Sequence, residues 1–194
     1  MARAWGRRGL VVAGLVGGLL AGTGAGAAQV VAGVEVPTEV RVQGAELQLN
    51  GAGLVRRLVF EVHVTGLYLE ASTRSAGEAV RSDQKKHLEF WFKRGLSHGQ
   101  LREAIRTGLV QNAGSALGRL EERVDRLMQS LPAVAEGERL SMTYVPGAGT
   151  RIAHNGRTLL TVEGKDFADA LFSAWLGPEP ISSSLKQDLL RGGQ

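Results

Sequence analysis

Few side chains in this sequence are spaced to do chemistry without help from the fold. The four histidines, His63, His87, His98 and His154, lack the short spacings that bring two imidazoles to one metal, so no metal site is expected. There is no cysteine, which excludes a disulfide framework, a thiol nucleophile and a lipidated cysteine anchor. Ser97 has no histidine and acid arranged to activate it. Together with Gln100 it reads as the capping box of a helix instead. Gly51-Ala52-Gly53 has the Gly-x-Gly of phosphate loops, but no helix follows, and it reads as a connection between strands. Arg56-Arg57, Lys85-Lys86 and Lys93-Arg94 are short basic pairs of the kind that sit solvated on surfaces. Trp91, Trp175, Phe167 and Phe172 read as core, and Tyr68 as a packing residue with its hydroxyl at the rim.

Charge narrows the partners. The chain has 23 Lys and Arg against 19 Asp and Glu, but Arg3, Arg7 and Arg8 fall in the first nine residues, where there is no acid. Without those three, the body keeps 20 basic against 19 acidic side chains, which is too balanced for the electrostatic footprint of phosphate-backbone binding. No nucleic-acid partner is expected. The three arginines precede the apolar run Leu10 to Leu20, and Ala25-Gly26-Ala27 then supplies a small-x-small cleavage pattern. This is the layout of a cleavable export signal over residues 1–27. The apolar run is short against the roughly 20 residues needed to cross a bilayer. An uncleaved anchor extending through Ala28 is the alternative, and Arg7-Arg8 leaves the general secretory and twin-arginine routes both open. The expected location is periplasmic or secreted, with no stable membrane span after cleavage.

The elements that must position any site can be read from periodicity. Leu58, Phe60, Val62 and Val64 alternate with Val59, Glu61, His63 and Thr65, and Leu88, Phe90 and Phe92 alternate with His87, Glu89, Trp91 and Lys93, as in strands with both faces partly covered. After the Ser97 cap, Leu101, Ala104, Ile105 and Leu109 follow helical spacing to a stop at Asn112 to Gly114. A second amphipathic helix carries Leu117, Leu120, Val124, Leu127 and Leu131 and closes at Pro132. Leu140, Met142 and Tyr144 alternate, Pro146-Gly147 turns the chain, and Asn155-Gly156 marks a hairpin. Asp166 is expected to cap a helix bearing Phe167, Leu171, Phe172 and Trp175, and Ser182 to Leu190 a last short one. Strands, helices, strands, helices in that order predict an α+β domain over residues 28–194, with an antiparallel sheet backed by helices.

Asn50-Gly51-Ala52-Gly53-Leu54 followed by Phe60-Glu61-Val62-His63-Val64-Thr65-Gly66-Leu67-Tyr68-Leu69 resembles the N-terminal signature of the chalcone isomerase-like family. Tyr144-Val145-Pro146-Gly147-Ala148-Gly149-Thr150, Gly164-Lys165-Asp166-Phe167 and Trp175-Leu176-Gly177 are similar, in the same order, to the bacterial exported branch. The resemblance implies an open-faced sandwich, a large antiparallel sheet covered by a layer of helices, with a ligand cleft between them. Its plant enzymes close a chalcone into a flavanone without a cofactor, and other relatives bind fatty acids. The family's arginine, which stabilises the enolate, directly follows the Gly-Ala-Gly-Leu segment. Here that position is Val55, with Arg56 and Arg57 next. The family's threonine or tyrosine on the following strand matches His63, and its tyrosine at the start of the first long helix matches Leu101. A shift of one residue along a strand turns a side chain to the opposite face.

These departures favour a non-catalytic binder of a small apolar or fatty-acid-like ligand, with Arg56 and His63 meeting its polar end and no cofactor. The alternative is a cofactor-independent intramolecular lyase or isomerase acting on an unsaturated carbonyl compound, with Arg56 stabilising the enolate. A scaffold with a collapsed cleft is the third reading. All three turn on whether Arg56 and His63 face one enclosed cavity.

Overall fold

A computed structural model describes residues 27–192, and in it the alternating segments become strands of one antiparallel sheet. β3 (Glu39–Val42), β4 (Ala45–Arg57), β5 (Phe60–Leu69), β6 (Lys86–Phe92), β7 (Arg139–Val145), β8 (Gly149–His154) and β9 (Arg157–Val162) lie side by side in chain order. β1 (Ala28–Val31) and β2 (Val34–Pro37) form a separate hairpin. α1 (Ala76–Arg81) interrupts β5 and β6, α2 (His98–Ala113) and α3 (Leu117–Ser130) interrupt β6 and β7, and α4 (Lys165–Leu176) and α5 (Ser183–Leu189) follow the sheet. This is the α+β arrangement expected from the order of elements, an antiparallel sheet backed by helices, and it agrees with the fold that the resemblance implied. The leader expected over residues 1–27 lies outside the described residues except for Ala27. Among the described residues no helix is long and apolar enough to cross a membrane.

Local chemistry explains several boundaries. Asn155 and Gly156 take φ values of 48° and 81°, the left-handed pair a tight hairpin requires between β8 and β9. At the start of α2 the Gln100 amide donates to Ser97 Oγ at 3.3 Å and the Ser97 amide donates to Gln100 Oε1 at 2.9 Å, so two N–H groups are satisfied reciprocally.

Pairing across the sheet aligns Leu67, Leu88 and Met142 on the face that meets the helices, where they pack with Ile105, Leu109, Phe167 and Leu171. The other face carries Leu47, Leu49, Val64, Tyr68 and Val145 beneath Val36 of the β1–β2 hairpin. Tyr68 is fully buried rather than set at a rim, and its hydroxyl donates to the Pro37 carbonyl at 3.0 Å.

Three expectations are corrected. The strand expected from Leu58 starts at Phe60, because Leu58 and Val59 form the turn after β4, with Leu58 at φ 56°. His63 and Thr65 therefore face the helices while Val64 joins the opposite cluster, which a sheet covered on both sides accommodates with apolar residues on each face. Gly51-Ala52-Gly53 is not a connection but the middle of β4. A Cβ on Gly51 would collide with the Asp188 carbonyl, and one on Gly53 would come 2.5 Å from Asp188 Oδ2, so these glycines let α5 lie directly on the strand. The Asn50 side chain closes the same joint, donating to the Leu189 carbonyl at 2.7 Å and accepting from the Thr73 amide at 2.8 Å. Asp166 does not cap α4, which begins after Gly164. It stands in the first turn and takes the Arg123 guanidinium at 2.8 and 2.7 Å, tying α3 to α4.

The helix that roofs the sheet is seated by one residue. Gly108 of α2 is buried, and a Cβ there would lie 2.8 Å from the Ala174 Cβ of α4 and 2.7 Å from Ile181 Cγ1. Only a glycine allows α2 to approach α4 this closely. Gly108→Val should lower unfolding free energy by about 2 kcal/mol through overpacking, read as a reduced urea midpoint. An unchanged midpoint would show that α2 is not held there.

Candidate functional site

The site begins with the alternation of β4. Val55 pairs with His63, but the next pairs are Arg56 with Glu61 and Arg57 with Phe60, so β5 carries one extra residue, Val62, as a bulge. β4, whose own bulge lies upstream at Asn50, keeps its period of two from Gly51 onward. Val55 therefore points toward the helices with His63, Arg56 points away, and Arg57 returns to the helical side with Phe60. The contacts agree. Arg56 Nη2 meets Glu61 Oε1 at 3.0 Å, Lys93 Nζ meets Glu61 Oε2 at 2.6 Å, and Lys93 also donates to the Ala32 carbonyl in the β1–β2 turn. Lys93 first and Arg56 second hold the Glu61 carboxyl below the usual carboxylate range.

Between the sheet and α2 lies a cavity of about 590 Å³. Its floor is Val55, His63, Phe90, Phe92, Leu140 and Met142, and its roof is Leu101, Ala104 and Ile105 of α2 with Trp175 and Ile181. Trp175 lies against Phe90 with ring centroids 5.1 Å apart, closing the deep end with aromatic carbon. Arg57, Leu58, Phe60, Arg94 and Gln100 form the mouth. Hydrocarbon thus lines the interior, and cations stand at the opening.

His63 is the polar group inside. Its Nδ1 lies 2.9 Å from Thr65 Oγ1, and the rings of Phe90 and Phe92 meet it edge-on at 5.6 and 5.7 Å. The imidazole is half-buried and lines the cavity. Loss of hydration pushes its pKa down to about 4, so the ring is neutral near pH 7. The contact with Thr65 fits either tautomer, and in the one where the Thr65 hydroxyl donates to Nδ1, Nε2 carries the proton and can donate one hydrogen bond. Such a group orients a ligand but is a weak base.

The structure brings His63 to the cavity wall and places Arg56 only at its rim, with the guanidinium engaged by Glu61. Arg57 and Arg94 are the cations that face the opening, and among the described residues neither forms a salt bridge. Both were read only as members of surface pairs. The phase of β4 beyond its own bulge at Asn50 is what singles out Arg57, and that bulge is set by pairing with β5 rather than by the local sequence. Trp175 is both core, as expected, and cavity wall. Leu101 lines the roof at the position the resemblance assigns to a tyrosine, leaving no hydroxyl there. His87, bonded to Thr143, and His154, bonded to Glu138, lie away from the cavity.

Three comparisons bear on this geometry. A protein-family model described as chalcone isomerase-like matches residues 28–191. Among solved structures the chain is similar to a fatty-acid binding protein from Arabidopsis thaliana, at 17% sequence identity and a TM-score of 0.63, covering 81% of this chain and 92% of that one. The likeness is one of fold. Comparison with curated proteins finds no match.

The titration of His63 gives a stability prediction. Its folded pKa lies below the ordinary 6.5, so as pH falls the unfolded chain takes up the proton first. His63 takes nothing from stability above about pH 6.5 and progressively more toward pH 4. At about pH 5 the loss should be on the order of 2 kcal/mol. His63→Gln, which can still bond Thr65 but does not titrate, should remove that part of the decline in urea denaturation between about pH 7 and pH 5. Parallel declines in wild type and variant would contradict the burial of a neutral ring.

Proposed function

Because the chain belongs to the chalcone isomerase-like family, whose match spans residues 28–191, we propose that its cavity binds a fatty-acid-like ligand without transforming it. The observation that carries this reading is the distribution of charge: hydrocarbon within, Arg57 and Arg94 at the mouth, and Val55 at the inward position beside His63. Burying an unpaired carboxylate costs several kcal/mol, so an amphipathic acid leaves its head at the opening and inserts its chain. The volume lies within the roughly 300–1,000 Å³ of small-molecule sites. The name of the Arabidopsis neighbour supports the ligand class. Arg57, rather than the Arg56 favoured by the sequence, is the proposed anchor, with His63 as an interior donor.

The alternative, an intramolecular lyase or isomerase, draws on the same histidine, since the neutral His63 ring lines the cavity and has one N–H that an enolate can accept. A neutral ring with a valine where the family's guanidinium stands offers little stabilisation of developing charge. Turnover of an unsaturated ketone that falls in His63→Gln would favour this second reading.

Export belongs to the proposal as well. The family match begins at residue 28, directly after the leader pattern. Protein recovered from its host should begin at Ala28 or Gln29 by mass spectrometry. An intact Met1 would remove the cleavage claim.

Native mass spectrometry after delipidation and exposure to long-chain fatty acids should show a bound acid. Val55→Trp, which fills the interior, should abolish uptake. Arg57→Gln should weaken binding about tenfold, the scale of one charge-assisted hydrogen bond, and Arg56→Gln should weaken it much less. An empty wild-type spectrum, or equal effects of the two arginine variants, would defeat the proposed site.

A further inference from the structure

The turn between β4 and β5 displays the largest exposed apolar side chains among the described residues. Leu58 is 90% exposed, Val59 84% and Phe60 55%. Folding gains little from Leu58 and Val59. Leu58 also holds φ 56°, a left-handed conformation disfavoured for a residue with a Cβ, where asparagine or glycine would fit without strain. A water-facing turn has no use for leucine followed by valine, whereas an apolar environment does.

Guanidinium groups surround this tip. The Arg94 guanidinium stacks over the Phe60 ring at 4.8 Å, and Arg56 and Arg57 precede Leu58 in β4. Arg56, Arg57 and Arg94 line the cavity and no acid does, since Glu103, Glu136 and Glu138 lie outside the lining and Glu61 is engaged by Arg56 and Lys93, so the mouth is cationic. An apolar tip collared by arginines matches an anionic bilayer surface: the hydrocarbon enters the acyl boundary while the guanidiniums stay with the phosphates.

We propose that the β4–β5 tip docks this protein on an anionic lipid bilayer and sets the cavity mouth against it. Leu58, Phe60 and Arg94 belong to both the tip and the mouth, so docking brings the opening to a source of acyl chains. Passage of ligand from bilayer to cavity rests on the binding reading above, while docking stands independently of it.

The test uses the protein in the form its host accumulates, sedimented with phosphatidylcholine vesicles with and without phosphatidylglycerol. Leu58→Asn combined with Val59→Ser removes the apolar tip, and asparagine suits the turn, so the variant should fold at least as stably as wild type. Wild type should bind vesicles containing phosphatidylglycerol, and the double variant should lose about tenfold or more of that partitioning. Arg57→Gln with Arg94→Gln should abolish the preference for phosphatidylglycerol. Wild type that stays in the supernatant, or a double variant that binds equally well, overturns the proposal, as would capture of the tip by a protein partner in the absence of vesicle binding. Fatty-acid uptake by wild type in vesicle-free buffer is scored separately: its absence refutes the binding reading, and the vesicle result still decides docking.

Discussion

Side-chain alternation along β4 decides what the cavity can do. Three consecutive residues, Val55, Arg56 and Arg57, turn in, out and in again, and β5 absorbs the irregularity through the bulge at Val62 rather than breaking that period. β4 owes this phase to its own bulge at Asn50: without that extra residue Leu54 would pair with His63 and Arg56 would turn to the helical side. Instead a valine faces the histidine, Glu61, which also binds Lys93, engages Arg56 on the far side, and Arg57 emerges at the opening. One period-two rule therefore separates an enolate-stabilising pocket from one suited to a hydrocarbon chain with a charged head.

The rest of the fold keeps that pocket open and closed in the right places. α2 forms the roof, and Gly108 seats it against α4 at a distance no other residue permits. α4 supplies Trp175 at the deep end and is tied to α3 through Arg123 and Asp166. At the opposite end of the core Lys86 is buried under the helices and donates to the carbonyls of Ala79, Val80 and Ser82 at 3.0, 2.5 and 2.9 Å, satisfying the last turn of α1. Burial pushes its pKa down to about 8. Another hollow of about 540 Å³, lined by Val80, Asp169 and Ala170 among others, opens on that side between α1 and α4, whereas the cavity between the sheet and α2 lies toward the β4–β5 tip.

Much of this was legible in the residues. Asn155-Gly156, the Ser97 capping box and the helical spacing before Pro132 depend on local geometry, which neighbouring residues encode by themselves. The alternation at Leu88, Phe90 and Phe92 marked β6 as a strand for the same reason, although which of its faces meets the helices is set by packing. What escaped depended on distant contacts. Gly51 and Gly53 looked like a connection because the reason for their lack of side chains, the approach of α5, comes from about 135 residues away. Leu58 looked like the start of a strand because it is apolar, although nothing buries it. β1 to β3 and α1 went unread, although Ser75 and Glu78 hold the spacing of a cap, and the Ser75 hydroxyl does accept from the Glu78 amide. Arg57 was hidden by its neighbour, since two adjacent arginines are indistinguishable until the register of the strand that carries them is known.

The account stands or falls on where an acyl chain lies. A crystal structure with a fatty acid brominated near its methyl end locates that end by anomalous scattering. The account predicts a bromine peak between Met142 and Ile105, near Trp175, with the carboxylate at Arg57 and Arg94. A peak outside the space between the sheet and α2, or a carboxylate buried against His63, would contradict it.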